Sequence, residues 1–268
     1  MTKTHPADAI EIAKTDAQAF ADNMAEQLRM AGMVQRDFLP AKLPDTDNIR
    51  WATTFLPAEC VSGVIYDVAR VDEQHIGFYI ADVVGHGMPA ALLTIFLKQA
   101  LVMRETTDDD YKIFAPLEVM HKVNKRMVDQ QLSGCLFTTC CYGLLNIRTM
   151  QMTYCRAGHP YPVLVRKGQK PIQLQSQGGL LGVFEDAFFE QDMVQLQQGD
   201  KLIIYSDGVE SVVGETDDNG EFVFENSFSD ILDLPADELI AAFNDLAQNS
   251  KFAGAEVDDM TAIALEIL

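Results

Sequence analysis

The chain has 268 residues, 48% of them hydrophobic, which is enough for one large domain or for one domain with an appendage. A formal charge of −20 argues against nucleic acid and anionic lipid as partners, because a surface this acidic is repelled by phosphate. No apolar run reaches the roughly 20 residues that span a bilayer, and Met1 to Lys14 lacks the apolar stretch of a secretion signal, so the expected setting is soluble and cytoplasmic.

The first forty or so residues differ from the rest. From Ala7 to about Asp37 there is no proline, and Ile12, Phe20, Met24, Leu28 and Ala31 recur at helical spacing, with Asp16, Asp22, Glu26 and Arg29 off the stripe. Pro40 and Pro44 end that helix. A helix of about thirty residues is long for a small domain. It reads as a linker or dimerisation helix over residues 1–40, ahead of a domain over 41–268, with packing onto its own domain as the alternative.

From Ile49 onward, short runs rich in β-branched and aromatic residues predict strands at Trp51–Phe55, Val64–Val71 and Ile76–Asp82. Helices are expected at Met88–Arg104 and Ile113–Leu132. Strands follow at Phe137–Asn146, Gln151–Arg156, Pro162–Arg166, Gln191–Leu196 and Lys201–Ser206. A late helix over Pro235–Gln248 and a closing strand over Met260–Ile267 complete the pattern. Strands in runs with helices between them predict an α+β fold, sheets packed together and helices outside.

Three acidic positions sit at strand edges. Asp82 ends a strand before the glycine-rich turn Val83-Val84-Gly85-His86-Gly87, Asp207 follows Ile203-Ile204-Tyr205-Ser206, and Asp258-Asp259 opens the last strand. Singly, each reads as a turn, since aspartate bonds its own backbone and glycine accepts positive φ. Together they converge if their strands share a layer, and hard divalent ions take such oxygen ligands while keeping several waters. Two ions about 3.5–4 Å apart can activate water for attack on a phosphoryl group.

The ordered set Gln35-Arg36-Asp37-Phe38-Leu39-Pro40, Gly63-Val64-Ile65-Tyr66-Asp67, Asp82 to Gly87, Phe137-Thr138-Thr139, Ala157-Gly158-His159-Pro160, Gly179-Leu180-Leu181-Gly182, Tyr205 to Glu210 and Asp258-Asp259-Met260-Thr261 resembles the PPM-type metal-dependent serine/threonine phosphatases of the RsbU/SpoIIE branch, which regulate sigma factors. The resemblance covers about residues 34–268. It implies an α-β-β-α sandwich of two antiparallel sheets flanked by helices, and two Mn²⁺ or Mg²⁺ ions. It implies removal of phosphate from serine or threonine of a STAS-domain anti-sigma antagonist. On it, Asp82 is the aspartate bridging both metals, the carbonyl of Val83 a further ligand, and Asp207 and Asp258 complete the second metal's shell. Metal-bound water is then the nucleophile, and no Gly-x-Ser-x-Gly elbow or P-loop is present. The N-terminal helix would join an upstream sensor or receiver domain, and a homodimer is implied.

One departure stands out. Where the family has Gly-Asp before a hydrophobic-Tyr-Asp, this chain has Val64 in the carboxylate's place. Asp67 is not expected to compensate, because strand residues three apart point to opposite faces. Both an active phosphatase weakened at Val64 and an inactive module that binds a regulatory partner are open readings. Asp259 reads as a solvated or turn acid, His86 and His159 as residues that shape loops, and His121 as an ordinary helix residue. Asp217-Asp218-Asn219-Gly220 lacks the glutamate of a calcium loop and reads as a turn. The five cysteines, Cys60, Cys135, Cys140, Cys141 and Cys155, fit no zinc spacing and read as reduced structural thiols.

Overall fold

The computed structural model describes residues 6–108, 110–131, 137–217, 220–252 and 258–268. Helix α1 (Pro6–Asp37) is followed by strands β1 (Ile49–Leu56), β2 (Val64–Arg70) and β3 (His75–Val83). Next come helix α2 (Gly87–Ala100), the hairpin β4 (Arg104–Thr106) and β5 (Tyr111–Ile113), and helix α3 (Pro116–Gln130). Strands β6 (Thr138–Asn146), β7 (Gln151–Ala157), β8 (Val163–Val165), β9 (Ile172–Gln173), β10 (Gln191–Gln195) and β11 (Lys201–Tyr205) lead into a 3-10 turn at Asp207–Val209 and the short α4 (Glu210–Val213). Last are the hairpin β12 (Gly214–Thr216) and β13 (Phe222–Phe224), helices α5 (Asn226–Ile231) and α6 (Ala236–Phe252), and β14 (Met260–Ile267).

Two five-stranded sheets result, one ordered β1-β14-β11-β8-β9 and the other β10-β7-β6-β3-β2. All their ladders are antiparallel. The sheets face each other across a core that includes Trp51, Tyr66, Phe78, Ile80, Ile204 and Leu265. Trp51 and Phe78 meet there with ring centroids 5.0 Å apart. Burying each such side chain is worth about 1.5–3 kcal/mol. The outer face of the second sheet is covered by α2 and α3, and that of the first by α6, with α5 packed on it. The fold is thus the expected α+β sandwich with helices outside. The central strands are buried on both faces, which is why a strand such as Lys201–Tyr205 reads as a nearly unbroken apolar run.

Local differences from the sequence reading have physical causes. The helix expected to reach Arg104 stops at Ala100, and Arg104 opens β4, where its guanidinium donates to the Val71 carbonyl at 2.8 Å. The helix expected from Ile113 starts at Pro116, because proline suits a first turn and disfavours helix at the residue before it. The Glu118 carboxylate then accepts the Ala115 N–H at 3.0 Å. Leu132, Cys135, Asp218, Asn219 and Val257 lie outside the described residues, as does the side chain of Ile12.

Helix α1 is two-natured. Residues 14–27 are exposed throughout, including Phe20 at 69%, whereas Gly32 and Gln35 near its end are buried. The apolar stripe of Phe20, Met24, Leu28 and Ala31 is continuous, and only its C-terminal portion is covered by the domain.

Candidate metal centre

The register of the second sheet sets the first half of the site. Ile76, Phe78 and Ile80 of β3 point into the space between the sheets, and by strand alternation Asp82 continues that row. Val64 lies directly across from Asp82 on β2, and Thr139 directly across on β6. The position opposite the aspartate is therefore filled by an isopropyl group that is 1% exposed. Asp67 turns to the other face, where it pairs with Lys98 of α2 at 2.7 Å and supplies nothing to Asp82. Beyond Val83 the chain turns through Gly85, at φ 103, a conformation glycine adopts without strain. His86 precedes α2, exposed and without a side-chain capping bond.

The first sheet brings the second half to the same end. Tyr205 pairs with Ala262, so the residues after β11 and those before β14 emerge side by side. Ser206 fastens them: its hydroxyl donates to the Asp259 carbonyl at 2.9 Å and accepts the Thr261 N–H at 3.0 Å. Gly208 touches the Asp259 carbonyl so closely that any Cβ would collide with it, which makes glycine a packing requirement there. Asp207 and Asp258 are thereby set beside Asp82 across the gap between the sheets.

The electrostatics are those of an anion cluster without a counter-charge. Burial, followed by the charge of Asp207 and a hydrogen bond to it, and then by Asp258 and Asp259, pushes the Asp82 carboxyl up to about 8. Burial and then Asp207 also raise Glu210. Among the described residues, none of Asp82, Asp207, Asp258 and Asp259 forms an ion pair with a lysine, arginine or histidine. The cleft above, about 1010 Å³, is walled by Glu59, His86, Asp207, Glu210, Glu215 and Asp258 among others. Among the described residues no three His, Cys, Asp or Glu side chains are gathered tightly enough to chelate a bare ion. A looser carboxylate set with water between suits hard, hydrated divalent ions, and the Asp82–Asp207 hydrogen bond brings two of these carboxylates together. The residues fit Mg²⁺ or Mn²⁺.

Two residues correct the sequence reading or sharpen it. Asp259 is not a loose turn acid: one carboxylate oxygen accepts the Ala58 N–H at 2.7 Å and the other the Gly63 N–H at 2.7 Å. His159, 1% exposed, is held through Nδ1 to Thr139 Oγ1 at 2.9 Å, and burial followed by the nearby Arg156 charge pushes it down to about 3. It is neutral and structural, a loop-shaping residue. Ser206, Gly208 and Gln35 stand inside the motifs quoted from the sequence but were given no role there, since what each does depends on a partner far away in the chain. The described cysteines are free, and burial pushes the Cys141 and Cys155 thiols up to about 12.

The profile of the family described as Stage II sporulation protein E (SpoIIE) matches residues 72–268. Phosphoserine phosphatase RsbU of Bacillus subtilis (strain 168) is 31% identical over 184 residues, covering 68% of this chain and 53% of that protein. The SiaA-PP2C domain of Pseudomonas aeruginosa superposes with a TM-score of 0.72 at 19% identity, over 93% of this chain and 99% of that one. The crystal structure of RsbX in complex with magnesium superposes with a TM-score of 0.60 at 16% identity, over 85% and 99%. The chain spans about half the length of the curated relatives RsbU and RsbP, 53% and 47%.

Proposed function

The chain belongs to the SpoIIE family of PP2C-type phosphatases, and from that premise we propose that it is a divalent-metal-dependent phosphoserine/phosphothreonine protein phosphatase. The observation that carries the reading is the convergence of Asp82 with Asp207 and Asp258 at the adjoining ends of the two sheets, with Asp82 and Asp207 in hydrogen-bond contact. Asp82, Asp207, Asp258 and the carbonyl of Val83 would hold two Mg²⁺ or Mn²⁺ ions. When bound, such ions acidify water and shield phosphoryl oxygens. The chain's own contribution is placement. Ser206 and Gly208 fix Asp207 against Asp258, the Gly85 turn leaves the backbone open beside Asp82, and the cleft admits a side chain presented from another protein.

The substrate class that suits this site is a phosphorylated STAS-domain protein of a sigma-factor circuit, in line with the phosphoserine phosphatase named among the relatives. Residues 1–40 serve as linker and dimerisation helix for an upstream sensor or receiver domain, a role that fits the uncovered stripe of Phe20 and Met24. The charge of −20 disfavours nucleic acid and anionic lipid surfaces, and among the described residues no helix is long and apolar enough to cross a membrane.

Val64 supports a second reading, a binding module with little catalysis, since the β2 position paired with Asp82 holds a valine and not a carboxylate. Mn²⁺-dependent dephosphorylation of a phosphoserine STAS protein, measured for this chain and for Val64→Asp, separates the two. The phosphatase reading expects activity in the parent and about 10–100-fold more in the variant, with tighter Mn²⁺ binding by calorimetry. Activity in neither chain sinks it and leaves the binding module.

A further inference from the structure

The segment joining β1 to β2 is gripped from two sides, and the grips meet on a single peptide unit. Asp259 closes Ala58 to Gly63 into a ring by accepting the N–H groups at both ends, each at 2.7 Å. From the other side, the buried Gln35 of α1 donates to the Ser62 carbonyl at 2.6 Å and accepts the Ser62 N–H at 2.9 Å. The same amide nitrogen donates to Thr94 Oγ1 of α2 at 2.9 Å. One planar peptide, Ser62–Gly63, thus takes Gln35 on its carbonyl and Asp259 on its N–H. Gly32 on the preceding turn of α1 packs directly on the Cys60 carbonyl, too close for any Cβ.

Gly63 lies at the acidic end. Its carbonyl accepts the Val83 N–H at 3.0 Å, and a Cβ on it would stand 3.2 Å from the Val83 carbonyl and 3.1 Å from that of Gly85. Asp259 is the chain neighbour of Asp258, whose carboxylate accepts the Asp259 N–H at 2.7 Å. A rotation of the Ser62–Gly63 plane therefore disturbs the Asp259 carboxylate directly, and it reaches the Gly63 carbonyl that takes the Val83 N–H through the Gly63 Cα, since that carbonyl belongs to the next peptide.

We propose that Ala58–Gly63 is a strut between α1 and the carboxylate cluster, with Asp259 the positioning residue at one end and Gln35 the anchor at the other. Movement or undocking of α1 reaches the cluster through this strut. The consequence for metal rests on the phosphatase reading above; the mechanical coupling does not.

Two measurements test it, on the full chain. In the metal-free ¹⁵N-labelled protein, Gln35→Met, which keeps the volume and removes the bonds, raises amide exchange at Gly63 by about tenfold or more although Gln35 does not bond that amide. Gly32→Ala, which pushes the helix off Cys60, does the same and guards against a local artefact of how the introduced thioether packs. Gly63 exchange within about twofold of the parent in both variants overturns the strut. Second, calorimetric Mn²⁺ binding weakens by about 10–100-fold in Asp259→Asn and in Gln35→Met, and the double variant is no weaker than the worse single one. Strictly additive losses, or no loss in Gln35→Met, overturn the coupling. A parent chain that binds no Mn²⁺ sinks the metal reading alone, and Gly63 exchange then decides the strut.

Discussion

The β2–β3 hairpin carries an aspartate at each end, and their circumstances are opposite. At the turn, Asp72 accepts the N–H groups of Gln74 at 2.7 Å and His75 at 2.6 Å, meets the His75 ring at 2.9 Å, and takes the Tyr111 hydroxyl at 3.1 Å. Burial works to raise that carboxyl, but the backbone bonds from Gln74 and the ring and backbone of His75 outweigh it and hold Asp72 below its ordinary range. At the open end, burial and then the neighbouring carboxylates of Asp207, Asp258 and Asp259 push Asp82 up to about 8. The turn end is built to be satisfied by the fold. The open end is left short of positive charge, and sites of that kind are where ligands bind.

Removing the charge at the open end is the hardest test of that contrast. Asp82→Asn should lower phosphatase activity by at least about 100-fold and abolish Mn²⁺-dependent thermal stabilisation. In EDTA the same variant should be the more stable protein at neutral pH. The sign follows from the raised carboxyl: its contribution to stability is present below 3.8 and lost as pH rises through about 8. Melting curves of metal-free protein from pH 4 to 8 should slope downward for the parent and be flatter for the variant. A steeper variant would break the contrast.

Asp72→Ala should act the other way. Leaving the Gln74 and His75 N–H groups without their acceptor should cost about 1–3 kcal/mol in urea unfolding, with Mn²⁺ affinity unchanged. Because its carboxyl is lowered, Asp72 stabilises above 3.8 and the effect of the variant should shrink as pH falls.

The smallest expected effect concerns His159, which shares the open end and is bonded through Nδ1 to Thr139, its buried Nε2 having no hydrogen-bond partner among the described residues. Its folded-state value near 3 lies below the ordinary 6.5, so its share of stability is present above 6.5 and lost as pH falls toward 3. His159→Gln should unfold with a shallower acid limb over that window, read by circular dichroism, and with little change at pH 7.5.

The long elements and the acidic strand ends were legible because they obey local rules. β3, β11 and β14 are apolar runs that break on Asp or Asp-Asp, and α1 carries a stripe at helical spacing. Elements of a few residues escaped notice. The hairpins β4–β5 and β12–β13 and helix α5 are too short for any periodicity to register, and they exist because the body of the fold holds them. Val64 was readable as a departure, but only the register shows that it faces Asp82 directly. The roles of Asp259 and Gln35, both present in quoted motifs, were opaque for a different reason: their bonds join residues 196 and 27 positions apart, and no local pattern encodes such a partner.

The docking of α1 has a geometrical consequence. Lys14 lies eighteen residues before Gly32, roughly 27 Å along the helix axis, and Gln35 three residues beyond it, about 4.5 Å. With Gly32 pressed on the Cys60 carbonyl as fulcrum, the helix is an unequal lever. A swing of about 5 Å at its far arm becomes less than about 1 Å at Gln35, with the force multiplied in the same ratio. That output is on the scale that separates a made hydrogen bond from a broken one, so whatever seizes the exposed arm gains leverage on the short one.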